Sequence, residues 1–224
     1  MKPQESSSLS MNQIQLLKKL VAQGEGFQLE FKRKAAFPEK IVREMIAFAN
    51  SKGGLLLVGI GDDKTIPGLK HPEDDSHVIR LALKNCKPPL PFVETFISVG
   101  ENRSVIQYEI SESNKKPHYY ITSEKNKESF VRVADKSIKA SREIREISRR
   151  LQKNKDIRFH YGDYEHMLMQ YLQINRTITL KQFTQLSGLN RFNASRKLIL
   201  LVLANVLRIK PDDKGDVYSL VIAK

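Results

Sequence analysis

The sequence predicts an α/β (α+β) mixed-sheet N-terminal domain followed by a smaller, mostly helical domain that closes on a β-hairpin. Three observations carry this prediction. Between Ser10 and Cys86 the apolar residues recur at helical spacing and at strand spacing in turn, from Phe92 the period falls to two, and after residue 156 short helical segments return. At 224 residues, 40% hydrophobic and 28% charged, the chain has a globular composition and room for two domains.

Residues 1–9 are polar and serine-rich, have nothing to bury, and are expected to form a disordered tail. Ser10 with Gln13 is a capping-box signature; Ile14, Leu17, Leu20 and Val21 follow at helical spacing, and Gly24 suits the stop. QLEFKRK then alternates, which puts Leu29 and Phe31 on one face of a half-buried strand and Glu30 and Lys32 on the other. Pro38 and Glu39 open a second helix. Its apolar positions Ile41, Val42, Met45, Ile46, Phe48 and Ala49 cover too wide an arc for a surface helix, so it is predicted to lie deep in the core. Gly53 and Gly54 lead into LLLVGI, which lacks polar alternation and reads as a strand buried on both faces, followed by the acidic turn GDDKTIPG. A third helix is predicted from Pro72 to Cys86, stopped by KPPLP. FVETFISV and SVIQYEI, joined by GENR, form a predicted hairpin, and HYYIT and SFVRVA flank the charged loop SEKNKE as shorter strands. SREIREISRRLQKNK is the last predicted helix of a domain spanning 10–156.

The charge balance, 38 Lys and Arg against 25 Asp and Glu, gives +13 and points to polyanionic partners through a sequence-independent, salt-sensitive attraction. LLLVGI and LILLVLANVL fall well short of the roughly 18–20 apolar residues of a membrane span, and no signal-like segment opens the chain. With a single cysteine, Cys86, read as a core residue, the expectation is a cytoplasmic protein with no membrane partner. His71, His77, His118, His160 and His166 are dispersed and lack the spacing of a zinc site.

In residues 157–224 the order helix, short helix, turn at Gly188, longer helix and hairpin is that of a winged helix-turn-helix. Between Asn190 and Lys210 stand five basic residues and no acidic one. The second helix of such a motif enters the major groove by its N-terminal part, so Asn190, Arg191, Asn193, Ser195, Arg196 and Lys197 are the expected contacts. Arginine suits guanine and asparagine suits adenine, whereas Lys197 and the wing's Lys214 suit phosphate. A winged helix serves equally as a protein-docking module, and the sequence leaves that alternative open.

GEGFQLEFK, AFANSKGGLLLVGIGDDKTIPG, KPHYYIT and FVRVADKSIKAS resemble, in order and spacing, the AlbA-like domain of Schlafen proteins and of bacterial proteins of transcriptional-regulator type, over about residues 12–150. The resemblance implies an α/β nucleic-acid-binding fold, commonly followed in the bacterial group by a winged helix. An ATP-binding label used for some members finds no support here, since there is no GxxxxGK phosphate loop. Some Schlafen members are endoribonucleases with two glutamates around the EFK strand and an aspartate after the glycine-rich strand; Glu25, Glu30 and Asp62 match, with Asp63 as the alternative to Asp62. Such a set would take Mg²⁺ or Mn²⁺ to activate water at a phosphodiester. Lys32 could hold phosphate or neutralise the carboxylate, and Arg132, alternating with Val131 and Val133, could meet phosphate or water. That nuclease core pairs two lobes, and this chain has one. The expectation is therefore a DNA-binding transcriptional regulator, with DNA rather than RNA as partner, working as a homodimer whose paired winged helices read half-sites. The alternatives are a divalent-metal-dependent endonuclease acting on RNA or single-stranded DNA, and an oligomeric protein-interaction scaffold.

Overall fold

The computed structural model describes residues 4–100, 102–123, 126–153 and 160–221, with side chains from Met11 onward. The chain divides into two compact units, Met1–Ser137 and Ile138–Lys224.

In the first unit α1 (Gln4–Gln23), β1 (Leu29–Lys32), α2 (Pro38–Asn50), β2 (Gly54–Val58), α3 (Pro72–Leu83), β3 (Cys86–Lys87), β4 (Phe92–Gly100), β5 (Arg103–Ile110), β6 (Tyr119–Ser123), β7 (Asn126–Glu128) and β8 (Phe130–Val133) follow in order, and β9 (Lys136–Lys139) runs across the division. The main sheet has the order β1-β2-β5-β4. β1 and β2 are parallel, Leu29 opposite Leu55, and β5 runs antiparallel to both its neighbours. Parallel neighbours need a crossover, which α2 supplies. On one face Ile41, Met45 and Phe48 of α2 pack with Leu56, Val58 and Tyr108. On the other, Leu17 and Val21 of α1 pack with Phe31, Leu57, Ile97 and Val105. Each face of β2 therefore has its own core, which is why its sequence shows no polar alternation. The wide arc of α2 has a similar cause: Val42, Ile46 and Ala47 face a third cluster with Tyr120 and Phe130.

Gly53 and Gly54 join α2 to β2 because nothing larger fits. Gly53 sits at φ +72, and a Cβ on Gly54 would stand 2.5 Å from the Phe48 ring and 2.9 Å from the Gln28 carbonyl.

The last residue of α2, Asn50, ties in the strands beyond it. Its Nδ2 donates to the His118 carbonyl (3.2 Å), Ser129 Oγ (3.1 Å) and the Phe130 carbonyl (3.0 Å), and its Oδ1 accepts from the His118 N–H at 2.8 Å. His118 is wholly buried. Its Nδ1 lies 2.8 Å from the Pro88 carbonyl, which only accepts, so Nδ1 carries the proton and Nε2 accepts from Ser113 Oγ at 2.7 Å. Burial pushes its pKa below the ordinary 6.5. A depressed histidine pKa means that the unfolded chain binds the proton first, so this contribution to stability is complete above pH 6.5 and is lost as pH falls below it. Urea midpoints at about pH 7 and about pH 5 should fall further for the wild type than for His118→Gln, and equal falls would remove His118 from the account.

Several expectations are corrected here. α1 starts at Gln4 rather than Ser10, so the tail predicted for 1–9 is helical from residue 4, while 1–3 lie outside the described residues. Extending a helix already nucleated costs little, even through serines. α3 stops at Leu83, and Cys86, although buried as expected, lies on the short strand β3. Strands β3 and β7, of two and three residues, are too short to show a period.

The second unit contains α4 (Arg142–Leu151), α5 (Asp163–Asn175), β10 (Thr177–Thr179), α6 (Leu180–Ser187), α7 (Arg191–Leu203), β11 (Leu207–Lys210) and β12 (Val217–Leu220). Its antiparallel sheet has the order β10-β12-β11, and Leu168, Ile178, Phe183, Leu198, Leu207 and Tyr218 form the core beneath it. The boundary expected at 156/157 lies outside the described residues, and the compact units divide at 137/138. α4 belongs with the second unit because Ile147 packs on Ile199 and Leu203 of α7, and buried Glu143 accepts from Ser195 Oγ at 2.6 Å. No described helix is long and apolar enough to cross a membrane.

Candidate functional site

The acidic residues singled out in the first unit are not gathered at one place. Glu30, only 7% exposed, pairs with Lys32 and, through Oε2, with Arg132 Nη1 at 3.0 Å. The Arg132 side chain has no exposed surface. Nη1 also donates to Glu44 Oε2 at 2.8 Å, Nη2 to the Gly26 carbonyl at 2.5 Å and Nε to the Phe27 carbonyl at 3.3 Å, while the guanidinium lies 4.8 Å above the Phe48 ring. Burial pushes the Glu44 carboxyl above its ordinary range, against the hydrogen bond from Ser137. Glu25 is exposed, and its Oε1 accepts from the Phe31 N–H at 2.9 Å, closing the loop before β1. Asp63 accepts from the N–H (3.1 Å) and Oγ1 (2.6 Å) of Thr65, which hold its carboxyl below the usual range, and Asp62 is exposed on the same turn.

Glu25, Glu30, Asp62 and Asp63 thus close a loop, complete an ion cluster and shape a turn. Among the described residues no three of His, Cys, Asp or Glu are grouped so as to hold a metal ion. In this arrangement both oxygens of Glu30, expected as a ligand for Mg²⁺ or Mn²⁺, are met by cations, and Glu25 is turned to a backbone N–H. Arg132 is corrected too, since a guanidinium engaged on all three nitrogens and sealed from water does not meet phosphate. Lys32 is half-buried against Glu30 and neutralises it.

The residues predicted on the C-terminal helix divide by face. Asn190 caps α7, its Oδ1 accepting from the Asn193 N–H at 2.9 Å. Arg191, Asn193 and Arg196 are exposed, and the first turn carries no acidic residue. Ser195 is 3% exposed, held by Glu143, and Lys197 Nζ lies 2.6 Å from Glu165 Oε1 and 5.2 Å above the Tyr164 ring. Burial works against the Glu165 carboxylate, yet Lys197 and the Gly162 N–H hold it below its ordinary range. Ser195 is therefore corrected from a groove contact to a residue that fixes α7 in place, because it lies with Ala194 and Leu198 on the buried face of the helix, while Lys197 is half-buried against Glu165. Lys214 is exposed on the turn between β11 and β12, its N–H bonded to Asp212 Oδ1 at 2.9 Å. Sequence reasoning passed over Phe192, 56% exposed beneath the guanidinium of Arg142 at 5.2 Å. A phenylalanine two residues after the helix cap, beside Arg191 and one turn before Arg196, is the signal that could have found it.

A mixed sheet with a helix on each face and a parallel β-α-β unit makes the first unit an α+β domain. The family model described as Schlafen, AlbA_2 matches residues 25–141, more than half of the chain, and the protein belongs to that family. Among solved structures, the chain is similar to the DIP2311 protein of Corynebacterium diphtheriae, at 16% identity and a TM-score of 0.46, over 97% of this chain and 39% of that one. It is also similar to the N-terminal domain of a Nitrosomonas europaea protein whose name relates it to the ATP-dependent DNA helicase RecG, at 19% identity and a TM-score of 0.40, over 66% of this chain and 97% of that one. The chain therefore spans about two fifths of the DIP2311 protein. No curated protein matches it.

Proposed function

We propose that the protein binds nucleic acid and acts as a DNA-binding transcriptional regulator through a winged helix-turn-helix formed by α5 to β12. The observation that carries this reading is the exposed, acid-free start of α7, where Arg191, Asn193 and Arg196 stand together. The elements around it support the reading. α6 opens with Thr179 and Gln182 capping one another and ends at Gly188, φ +69, and α7 begins three residues later behind its Asn190 cap. The β11–β12 turn is the wing. In this arrangement Arg191 and Arg196 take guanine or phosphate, Asn193 takes adenine and Lys214 takes phosphate. Arg142 braces Phe192 at the edge of the same surface. Membership of the AlbA_2 family and the net charge of +13 favour the same class of partner.

Arg191→Ala with Arg196→Ala in the full chain should weaken duplex DNA binding by about tenfold to a few hundredfold and lower the slope of log K against log salt by about 2. Unchanged affinity and slope would sink the groove assignment. Two copies reading paired half-sites form the proposed working unit, and mass measured in solution, with and without duplex, tests it.

A further inference from the structure

A second basic surface lies in the first unit, at the end of β1. The Gly59 and Ile60 N–H groups both bond the Lys32 carbonyl, at 2.7 and 3.2 Å, and end the strand pairing there. Beyond it Arg33 and Lys34 leave the sheet, and the Ala35 N–H is pinned to Asp75 Oδ1 at 2.6 Å. From the other side, Leu69 exchanges backbone hydrogen bonds of 2.7 and 3.0 Å with Ser104, which brings Lys70 up beside Arg103. These residues line one depression of about 430 Å³ together with His71, Asp74 and Asp75.

Charge decides what such a depression takes. Arg33, Lys34, Lys70 and Arg103 are exposed, and among the described residues none of them forms an ion pair. Against four cations stand two lining carboxylates, one of them accepting from the Ala35 N–H, and Asp63, which attracts Arg33 from outside the lining. Arg103 is also held in place, its Nη1 donating to the carbonyls of Pro67 (3.4 Å) and Gly68 (3.2 Å), so that the remaining N–H groups of its fork are presented without further ordering. A concave seat of this size admits the phosphate and sugar of one strand. The loop from Arg33 into α2 also carries Phe37, 59% exposed with Lys40 Nζ 4.6 Å over its ring, an aromatic and a cation of the kind that meet unpaired bases and their phosphates.

We propose that this depression is a phosphate-binding seat for single-stranded nucleic acid, separate from the duplex surface of the second unit. It extends the nucleic-acid reading to the first unit and has a different ligand, so the two stand or fall apart. The variant Arg33→Ala/Lys34→Ala/Lys70→Ala changes only exposed side chains. Its control, Lys18→Ala/Lys19→Ala/Lys84→Ala, removes the same charge from exposed positions elsewhere. With a labelled single-stranded oligonucleotide and the full chain, the first variant should lose affinity, with the salt slope lower by about 2. The control should stay close to wild type, and Arg191→Ala/Arg196→Ala should lose duplex binding while keeping the single strand. In an NMR titration with inorganic pyrophosphate, the amides of residues 33–35, 68–71 and 103 should move together. The proposal is overturned if the wild type binds no single strand, if the two triple variants lose affinity equally, or if the pyrophosphate shifts are scattered over the surface.

Discussion

Replacing Arg132 with methionine is expected to destabilise the first unit by about 3–5 kcal/mol, the cost of removing one partner from a buried ion cluster. Methionine keeps most of the volume above Phe48, so the loss comes from charge rather than from a cavity. It leaves Glu30 and Glu44 facing one another with Lys32 as the nearby cation, and it strips a donor from the carbonyls of Gly26 and Phe27. Two further measurements separate this account from a simple packing defect. Arg132→Met combined with Glu30→Gln and Glu44→Gln should recover a large part of the loss, because the orphaned charges go with their partner. The loss should also shrink as pH falls towards 4.5, since a carboxyl whose folded pKa is raised favours the fold when protonated and opposes it as pH rises through the folded value. Hydrogen exchange at β1, β2 and α2 amides in the full chain reports it, and a loss under about 1 kcal/mol would show the cluster to be dispensable.

Arg132 also marks where sequence reading stopped. The β-α-β start, the doubly buried β2, the β4–β5 hairpin and α5 to α7 are all legible, because each is written in a local period or a cap: Leu56 and Leu57 are buried on opposite faces, and Asn190 caps α7. The membership of the Schlafen, AlbA_2 family was legible in the same stretches, from GEGFQLEFK onward. An arginine between two valines, however, reads as the wet side of a strand. What buries it is Glu30, 102 residues away, and Glu44, 88 residues away, and no local pattern records such partners. The burial of Ser195 escapes the sequence for a related reason: one helix start carries both an outer and an inner face, and only the packing against Glu143 decides which residues fall on the inner one. The partners of the carboxylates near β1 were equally illegible: Glu25 meets the Phe31 N–H, Glu30 meets Lys32 and Asp63 meets Thr65.

The second large effect belongs to Asn50, whose replacement by alanine is expected to cost about 2–4 kcal/mol. The residue is 8% exposed, and its amide serves as both donor and acceptor. Alanine would leave the His118 N–H without its acceptor and the Phe130 carbonyl without its donor, both in the interior, whereas the His118 carbonyl would keep the hydroxyl of Ser129 at 2.8 Å. The informative variant is Asn50→Asp, which has almost the same shape. If Asn50 mattered only by filling space, aspartate would be tolerated. If the amide's polarity matters, aspartate turns an acceptor oxygen towards two carbonyls and buries a charge that no cation meets, and it should cost at least as much as alanine. Aspartate as stable as wild type would remove the hydrogen-bond account. The consequence should reach the ion cluster, because the Arg132 N–H is bonded to Ser51 Oγ at 2.9 Å, one residue beyond Asn50. Weakening the end of α2 loosens the strand that carries Arg132, so exchange at the Arg132 amide should rise in both variants together with exchange at the His118 amide.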